Sequence, residues 1–132
     1  SKFQKLNLQI AFESDYIPSK LKKFISKFPE KLFGINYDTG NSAALGFNSS
    51  EEFYEYGKRI INVHIKDRKF KGKTVPLTEG DADFEKIFKG LNDLGYEGAF
   101  ILQTARAIDG NHSEVIKNYQ TFVTEEFFGK FD

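Results

Sequence analysis

The stretch IINVHI at residues 60–65 decides the fold class, because it is almost continuously apolar and is followed at once by the basic segment KDRKFKGK. A run of this kind is typical of a strand buried on both faces, as in a parallel sheet. Three further apolar runs occur at residues 7–13, 32–38 and 99–104. A polar loop and an amphipathic segment follow each run, so a strand–helix unit recurs four times.

The amphipathic segments have the periodicity of helices. Apolar residues recur at helical spacing over residues 21–28. After the second run we expect a loop of small residues, and then a short helix opened by a capping box between Ser49 and Glu52. The remaining two helices are expected over residues 83–94 and from about residue 113.

Four strand–helix units imply parallel strands joined by crossover helices. Their spacing of roughly 25 to 40 residues suits the β/α unit of a TIM barrel, of which a complete barrel has eight. We therefore expect an α/β fold of four parallel β/α units in one domain over residues 1–132. This unit is either half of a (βα)8 barrel or a small open α/β sheet.

Composition excludes several classes of protein. Lys and Arg number 19, and so do Asp and Glu, whereas a nucleic-acid module usually has a basic surface. With no Cys, disulfides and cysteine nucleophiles are excluded. No apolar run approaches the ~20 residues of a membrane helix, and no leader pattern opens the sequence, so we expect a cytoplasmic protein. The absence of Met and the initial Ser1 indicate a processed product, a tagged protein or a fragment.

Each apolar run ends in a residue that can bind a metal or transfer a proton: Glu13, Asp38, His64 and Gln103. In a parallel sheet the carboxyl ends of the strands form the ligand face, so these side chains are expected in one cleft. Their oxygen and imidazole ligands suit Mn, Mg, Co or Zn. Taken singly, a polar strand end only marks the start of a loop, and His64 suits a hydrogen-bonded core position. The joint pattern favours a site.

The motifs around these residues are YDTGN at 37–41, VHIKDR at 63–68 and ILQTA at 101–105. Over residues 6–127 the chain resembles the C-terminal half of the xylose isomerase-like TIM barrels, which include sugar phosphate isomerases and epimerases. It is most similar to the hexulose- and xylulose-phosphate members.

The resemblance implies a divalent metal held after four successive strands by Glu13, Asp38, His64 and the residue at position 103. The family has Glu at this fourth position, whereas this chain has Gln103. Asn41 falls where many relatives have a His near the metal or the substrate. The resemblance also places three residues in a loop over the substrate, Lys66, Asp67 and Arg68.

The family chemistry explains why Gln103 matters. Such enzymes move a proton at the carbon beside a carbonyl through an enediolate, with two carboxylates as acid and base. Glu13 and Gln103 occupy the two catalytic positions, but an amide cannot take up a proton near neutral pH. The implied function is a metal-dependent isomerase or epimerase of a sugar or sugar phosphate. The alternative is an impaired sugar-binding subunit.

Two basic features have a structural and a functional interpretation. The lysines and arginine of residues 66–73 form either a solvated loop or a surface that attracts an anionic sugar phosphate. Arg106, ahead of the helix expected near residue 113, either belongs to an ordinary capped helix or binds phosphate at the helix N-terminus.

A half-barrel alone would expose two strand edges and the apolar face meant for the barrel core. We therefore expect a homodimer, or pairing with a chain that supplies the N-terminal half. Neither a nucleic acid nor a membrane is expected as a partner.

Overall fold

The computed structural model describes residues 2–131. The strands are β1 (Ile10–Phe12), β2 (Phe33–Asp38), β3 (Ile60–Ile65), β4 (Asp67–Arg68), β5 (Thr74–Val75) and β6 (Ala99–Leu102). Four of them form a parallel sheet in the order β1-β2-β3-β6, so consecutive units lie side by side. The strands β4 and β5 form a small antiparallel hairpin after β3.

Helices connect the strands and cover one face of the sheet. They are α1 (Lys2–Lys5), α2 (Pro18–Ile25), α3 (Thr39–Leu45), α4 (Ser49–Tyr56), α5 (Phe84–Asp93), α6 (His112–Val123) and α7 (Gly129–Phe131). A 3-10 turn (Gly57–Arg59) follows α4, and a π turn (Thr124–Phe128) follows α6. In the part of the chain that the structure describes, no helix has the length and apolar character to cross a membrane.

The four expected strands are confirmed, and the helix expected over 83–94 begins and ends within one residue of α5. Gly95 follows it with a φ of 70°, a left-handed conformation that glycine adopts at low cost. The segment expected as a loop after β2 is instead helix α3. Asp38 is the N-cap of this helix and accepts a hydrogen bond from the backbone N–H of Asn41. The small and polar residues of the helix resemble those of a loop, so the sequence pattern did not indicate it.

The capping box expected between Ser49 and Glu52 is wrong. Asn48 is the N-cap of α4, and its side chain accepts from the backbone N–H of Ser50. The carboxylate of Glu52 is buried in the interior instead. Part of the basic loop after β3 is the hairpin of β4 and β5, which the sequence pattern did not indicate.

The two faces of the sheet differ in character. The face under the helices is apolar, with Ile35, Val63 and Ile65 buried against them. β3 is not buried on both faces as expected, because Asn62 and His64 on its other face are partly exposed.

The second face of the sheet is open and largely polar near its centre. Asn62 donates a side-chain hydrogen bond of 2.8 Å to Asn36 across β2 and β3. Farther along, Ile101 on β6 is 45% exposed. β1 and β6 each pair with one neighbour in the described sheet, so both outer strands present unpaired backbone groups.

Candidate metal centre

Glu13, Asp38 and His64 converge at the carboxyl ends of three adjacent strands. Each offers one ligand atom, and the three atoms lie within 4.8 Å of one another. Asp38 is the last residue of β2 and pairs in register with His64 on β3, whereas Glu13 directly follows β1. Side chains alternate along a strand, so this register brings the three residues to the same face of the sheet.

Asp38 is the buried member of this group, with a side chain 2% exposed. Its Oδ1 accepts a hydrogen bond of 2.8 Å from the backbone N–H of Asn41. Its Oδ2 lies 3.8 Å from Nδ1 of His64 and 3.0 Å from Nζ of Lys66. The Lys66 contact is an ion pair, and Oδ2 has no hydrogen-bond partner among the residues that the structure describes.

Among the described residues, two buried polar atoms therefore face each other without hydrogen bonds, Oδ2 of Asp38 and Nδ1 of His64. Buried polar atoms are nearly always satisfied in folded proteins, and leaving one unsatisfied costs about 1–3 kcal/mol. A divalent cation would give Nδ1 of His64 a partner and would bind Oδ2 of Asp38 beside the ammonium group of Lys66. Two carboxylates and an imidazole are a donor set that suits Mn, Co or Zn, so the residues fit the metal that the family resemblance implies.

Asn41, expected near the metal or the substrate, contacts a candidate ligand directly. Its side-chain Nδ2 donates to Oε1 of Glu13 at 3.3 Å, and its Oδ1 accepts from Nη1 of Arg68 at 2.9 Å. Arg68 also donates to the backbone oxygen of Gly72 from Nε at 3.0 Å and from Nη2 at 2.8 Å.

Thr39 joins the ends of the two central strands. Its hydroxyl donates to the backbone oxygen of Lys66 at 2.5 Å and accepts from the Lys66 N–H at 3.0 Å. The side chain is fully buried, so this bridge fixes the start of α3 beside the end of β3. Thr39 stands in the YDTGN motif, but its residue type alone did not indicate this role.

Asp67, expected in the loop over the substrate, is fully buried. Its two carboxylate oxygens accept hydrogen bonds from the backbone N–H groups of Gly80 at 2.9 Å and Ala82 at 3.1 Å. The carboxylate thus holds the segment after β5 against β4, and both of its oxygens are engaged within the protein.

Gln103 and Arg106 follow β6, an outer strand of the described sheet. The side chain of Gln103 is exposed, and its backbone N–H donates to the oxygen of Ile65 at 3.0 Å. Leu102 packs against the core, and alternation along the strand would direct Gln103, the next residue, to the open face. Arg106 is also exposed and lines a separate cavity of about 350 Å³ beside the start of α6.

A cleft of about 590 Å³ opens beside Glu13. This volume is in the usual range for small-molecule sites. The lining carries two acidic and two basic side chains and comprises Glu13, Ser14, Asp15, Asn41, Ala44, Leu45, Arg68 and Lys71.

Glu52 supports the site from below, which sequence reasoning missed. Its carboxylate accepts hydrogen bonds from the hydroxyls of Tyr37 at 3.1 Å, Tyr56 at 2.9 Å and Ser42. These contacts join β2, α3 and α4 beneath the helix that carries Asn41. Burial raises the pKa of Glu52 above its usual value, and the three hydroxyl donors oppose this shift. The signal in the sequence was a Glu in the segment expected as a short helix, but the same Glu also matched the pattern of a capping box.

The chain is similar to one family of known proteins. The model of the xylose isomerase-like TIM barrel family matches residues 5–121. A putative L-ribulose-5-phosphate 3-epimerase of Escherichia coli (strain K12) is 33% identical over 92 residues, which cover 64% of this chain and 32% of the relative. An inosose dehydratase of Clostridium perfringens is 31% identical over 103 residues, which cover 64% of this chain and 34% of the relative.

The fold also matches solved structures. The crystal structure of a protein called IOLI, with a bound zinc atom, superposes with a TM-score of 0.74 at 15% sequence identity, covering 98% of this chain and 52% of that one. This likeness confirms the expected partial TIM barrel. The chain spans about a third of the length of these curated relatives and about half of that solved structure.

Proposed function

The chain belongs to the xylose isomerase-like TIM barrel family, and we propose that it forms the metal-binding half of an isomerase or epimerase acting on a sugar or sugar phosphate. One observation carries this proposal: Glu13, Asp38 and His64 offer ligand atoms within 4.8 Å of one another, and two of these residues have buried polar atoms with no hydrogen-bond partner in residues 2–131. The epimerase and dehydratase names of the relatives agree with sugar chemistry.

In this proposal Glu13, Asp38 and His64 hold a divalent metal. A cation bound there would polarise the carbonyl and hydroxyl oxygens of the substrate. Gln103 is the proposed fourth ligand, through its amide oxygen, because side-chain alternation continued past β6 would direct it to the same face. Lys66 balances part of the charge of Asp38 through their ion pair.

Glu13 is the proposed base. Its carboxylate takes the proton from the carbon beside the substrate carbonyl, and the electron pair of that C–H bond moves toward the carbonyl oxygen to give an enediolate. Returning a proton to the opposite face of the same carbon gives an epimer, and returning it to the neighbouring carbon gives an isomer. Glu13 is exposed and lines the 590 Å³ cleft, so a substrate can reach it.

Anion binding completes the proposed substrate site. Arg68 lines the same cleft as Glu13 and is the proposed contact for a negatively charged or hydroxyl-rich part of the substrate, together with Lys66. Arg106 lies in the separate cavity at α6, and we propose it as a phosphate contact only for a substrate long enough to span both.

A second candidate is a sugar-binding subunit without turnover, and Gln103 favours it. Gln103 stands where the family has a Glu, and its amide cannot return a proton to the enediolate. Loss of one general acid or base typically lowers the rate by about 10²–10⁴-fold.

The half of the barrel that lies outside this sequence is the proposed partner. The outer strands β1 and β6 have one neighbour each, and the open face of the sheet includes exposed Ile101. A second copy of the chain or a chain supplying the N-terminal half would pair both edges. Sedimentation should therefore show a dimer or larger species, and a cooperatively folded 15 kDa monomer would contradict this part of the proposal.

Deuterium exchange separates the two candidate functions. Protein loaded with Mn²⁺ is incubated in D₂O with ribulose 5-phosphate, and NMR follows the proton beside the carbonyl. Exchange above the rate of a His64→Gln variant supports the enzyme. Saturable binding of the sugar phosphate without exchange supports the binding subunit. A protein that does not bind Mn²⁺ in calorimetry contradicts the proposed metal centre.

A further inference from the structure

We infer that Asn41 is the positioning residue of the metal centre, holding both carboxylate ligands while Arg68 sets the direction of its amide. This inference rests on the proposed metal site and adds to it. The family resemblance places a residue near metal or substrate at this position, whereas the hydrogen bonds of this chain give Asn41 a role that acts through Glu13 and Asp38.

The backbone of Asn41 orients Asp38. The N–H of Asn41 donates to Oδ1 at 2.8 Å, as expected for the N-cap of a helix. Because Oδ1 is engaged, Oδ2 is the oxygen directed toward His64, at 3.8 Å from Nδ1. This hydrogen bond uses only the backbone, so it persists when the side chain of Asn41 is replaced.

The side chain of Asn41 orients Glu13. Glu13 is exposed and follows the edge strand β1, so its carboxylate has little packing to fix it. In the described residues Asn41 Nδ2 is the hydrogen-bond donor to that carboxylate, at 3.3 Å to Oε1. The second oxygen, Oε2, is then available to a metal or a substrate proton.

Arg68 decides which way the amide points. A guanidinium only donates hydrogen bonds, so the atom of Asn41 that faces Nη1 at 2.9 Å must be the oxygen. The amide NH₂ group must therefore face Glu13. Arg68 is itself fixed by two hydrogen bonds to the backbone oxygen of Gly72, so the hairpin of β4 and β5 determines the direction of the amide. Outer partners of metal ligands commonly act in this way.

The direction in which one substitution changes the metal affinity distinguishes a positioning role of Arg68 from a purely electrostatic effect. Replacing Arg68 by Met removes a positive charge near a cation site, which by Coulomb repulsion alone would tighten metal binding. If Arg68 acts by orienting Asn41, the same substitution weakens metal binding. The two explanations thus predict opposite changes in the dissociation constant.

The test is calorimetric titration of Mn²⁺ into the natural protein and into Asn41→Leu, Arg68→Met and the double variant. We expect about 10–100-fold weaker binding for Asn41→Leu, as is typical of an outer partner. Arg68→Met should weaken binding in the same direction, and the double variant should resemble Asn41→Leu because the two residues act in series. Asn41→His, which can still donate to Glu13, should bind more tightly than Asn41→Leu.

Two further measurements exclude a merely structural effect. The apo forms are compared by urea unfolding, and the visible absorption of bound Co²⁺ reports the ligand geometry. Lys73→Met removes the same charge from an exposed position in the same hairpin and should leave the Mn²⁺ affinity within about twofold. Unchanged affinity and an unchanged Co²⁺ spectrum in Asn41→Leu would overturn the inference. Absence of Mn²⁺ binding to the natural protein would instead overturn the metal centre itself.

Discussion

The carboxyl ends of β2 and β3 and the carboxyl end of β6 lie at one edge of one sheet, yet the two regions are organised differently. At the end of β2, Asp38 and Thr39 are buried. Asp38 is hydrogen-bonded to the backbone of Asn41 on α3, and Thr39 to the backbone of Lys66, which follows β3. After β6, Gln103 and Arg106 are exposed, and Ile108 has its whole side chain in solvent. Both regions follow strands of the same sheet, so strand formation alone does not build a site.

The number of neighbouring strands explains this difference. β2 and β3 lie between other strands, whereas β6 is an outer strand. A residue that follows an inner strand can form hydrogen bonds with the loop after the next strand, as Thr39 does with Lys66. In the loop after β6, the backbone N–H of Ala107 donates a hydrogen bond to Nδ1 of His112, the first residue of the helix that follows directly in the chain.

The carboxyl ends of β2 and β3 are the inner region, and the carboxyl end of β6 with its loop is the outer region. The largest expected effect is the loss of metal binding when a residue of the inner region is replaced. Asp38→Asn keeps the oxygen that accepts from Asn41 N–H but places an NH₂ group toward His64. We expect the Mn²⁺ dissociation constant to rise by more than about 100-fold, beyond the usual effect of an outer partner. Calorimetry is the measurement, with Asp15→Asn, in the cleft beside Glu13, as the control. An equal effect of the two substitutions would contradict the assigned role of Asp38.

The next effect concerns the stability of the inner region. Glu52→Ala leaves the buried hydroxyls of Tyr37 and Tyr56 without their acceptor, at about 1–3 kcal/mol for each unsatisfied group. We expect the free energy of unfolding, measured with urea, to fall by more than about 2 kcal/mol. Glu51→Ala, an exposed neighbour on α4, should change it by less than about 0.5 kcal/mol. Equal losses in both variants would mean that the buried hydrogen bonds do not stabilise α3 and α4.

The pH dependence of stability should also report on Glu52. Burial raises the pKa of this carboxyl in the folded state, so the folded protein binds more protons than the unfolded chain. Stability from this group is therefore fully present below its unfolded pKa and is lost as pH rises through the folded pKa. Each unit of difference corresponds to about 1.4 kcal/mol. Urea unfolding between pH 4 and 8 should show that the free energy of unfolding declines less with rising pH in Glu52→Gln than in the natural protein. Parallel curves for the two proteins would refute this role of Glu52.

The smallest effect is expected at the outer region. Gln103→Glu restores an anionic oxygen where the family has a Glu, and it should tighten Mn²⁺ binding by less than about tenfold because the loop after β6 is exposed and weakly held. Gln120→Glu, exposed on α6, adds the same charge away from the site. If the two variants bind Mn²⁺ equally, residue 103 is not part of the metal shell. If Gln103→Glu raised the Mn²⁺ affinity by as large a factor as Asp38→Asn lowers it, the proposed difference between the two regions would be wrong.

Local patterns predicted the strands and the strand-end residues well, because they depend on each segment's own apolar runs. The same reasoning misread α3 and Glu52. A Ser with a Glu three residues later is a local signature of a capping box, but Tyr37 and Ser42 are 15 and ten residues away from Glu52 in the chain. The burial of Asp67 was not visible in local patterns for the same reason, because its hydrogen-bond donors are 13 and 15 residues farther along the chain.

The sequence by itself determined the parallel order of four β/α units and the positions of Glu13, Asp38 and His64 at strand ends, since both follow from periodicity and from the geometry of a parallel sheet. Only the tertiary structure decided which of the polar residues meet. Asn41 reaches Glu13 across 28 positions and Arg68 across 27. Such contacts depend on the register between strands and on loop paths, which residue type and local spacing do not encode.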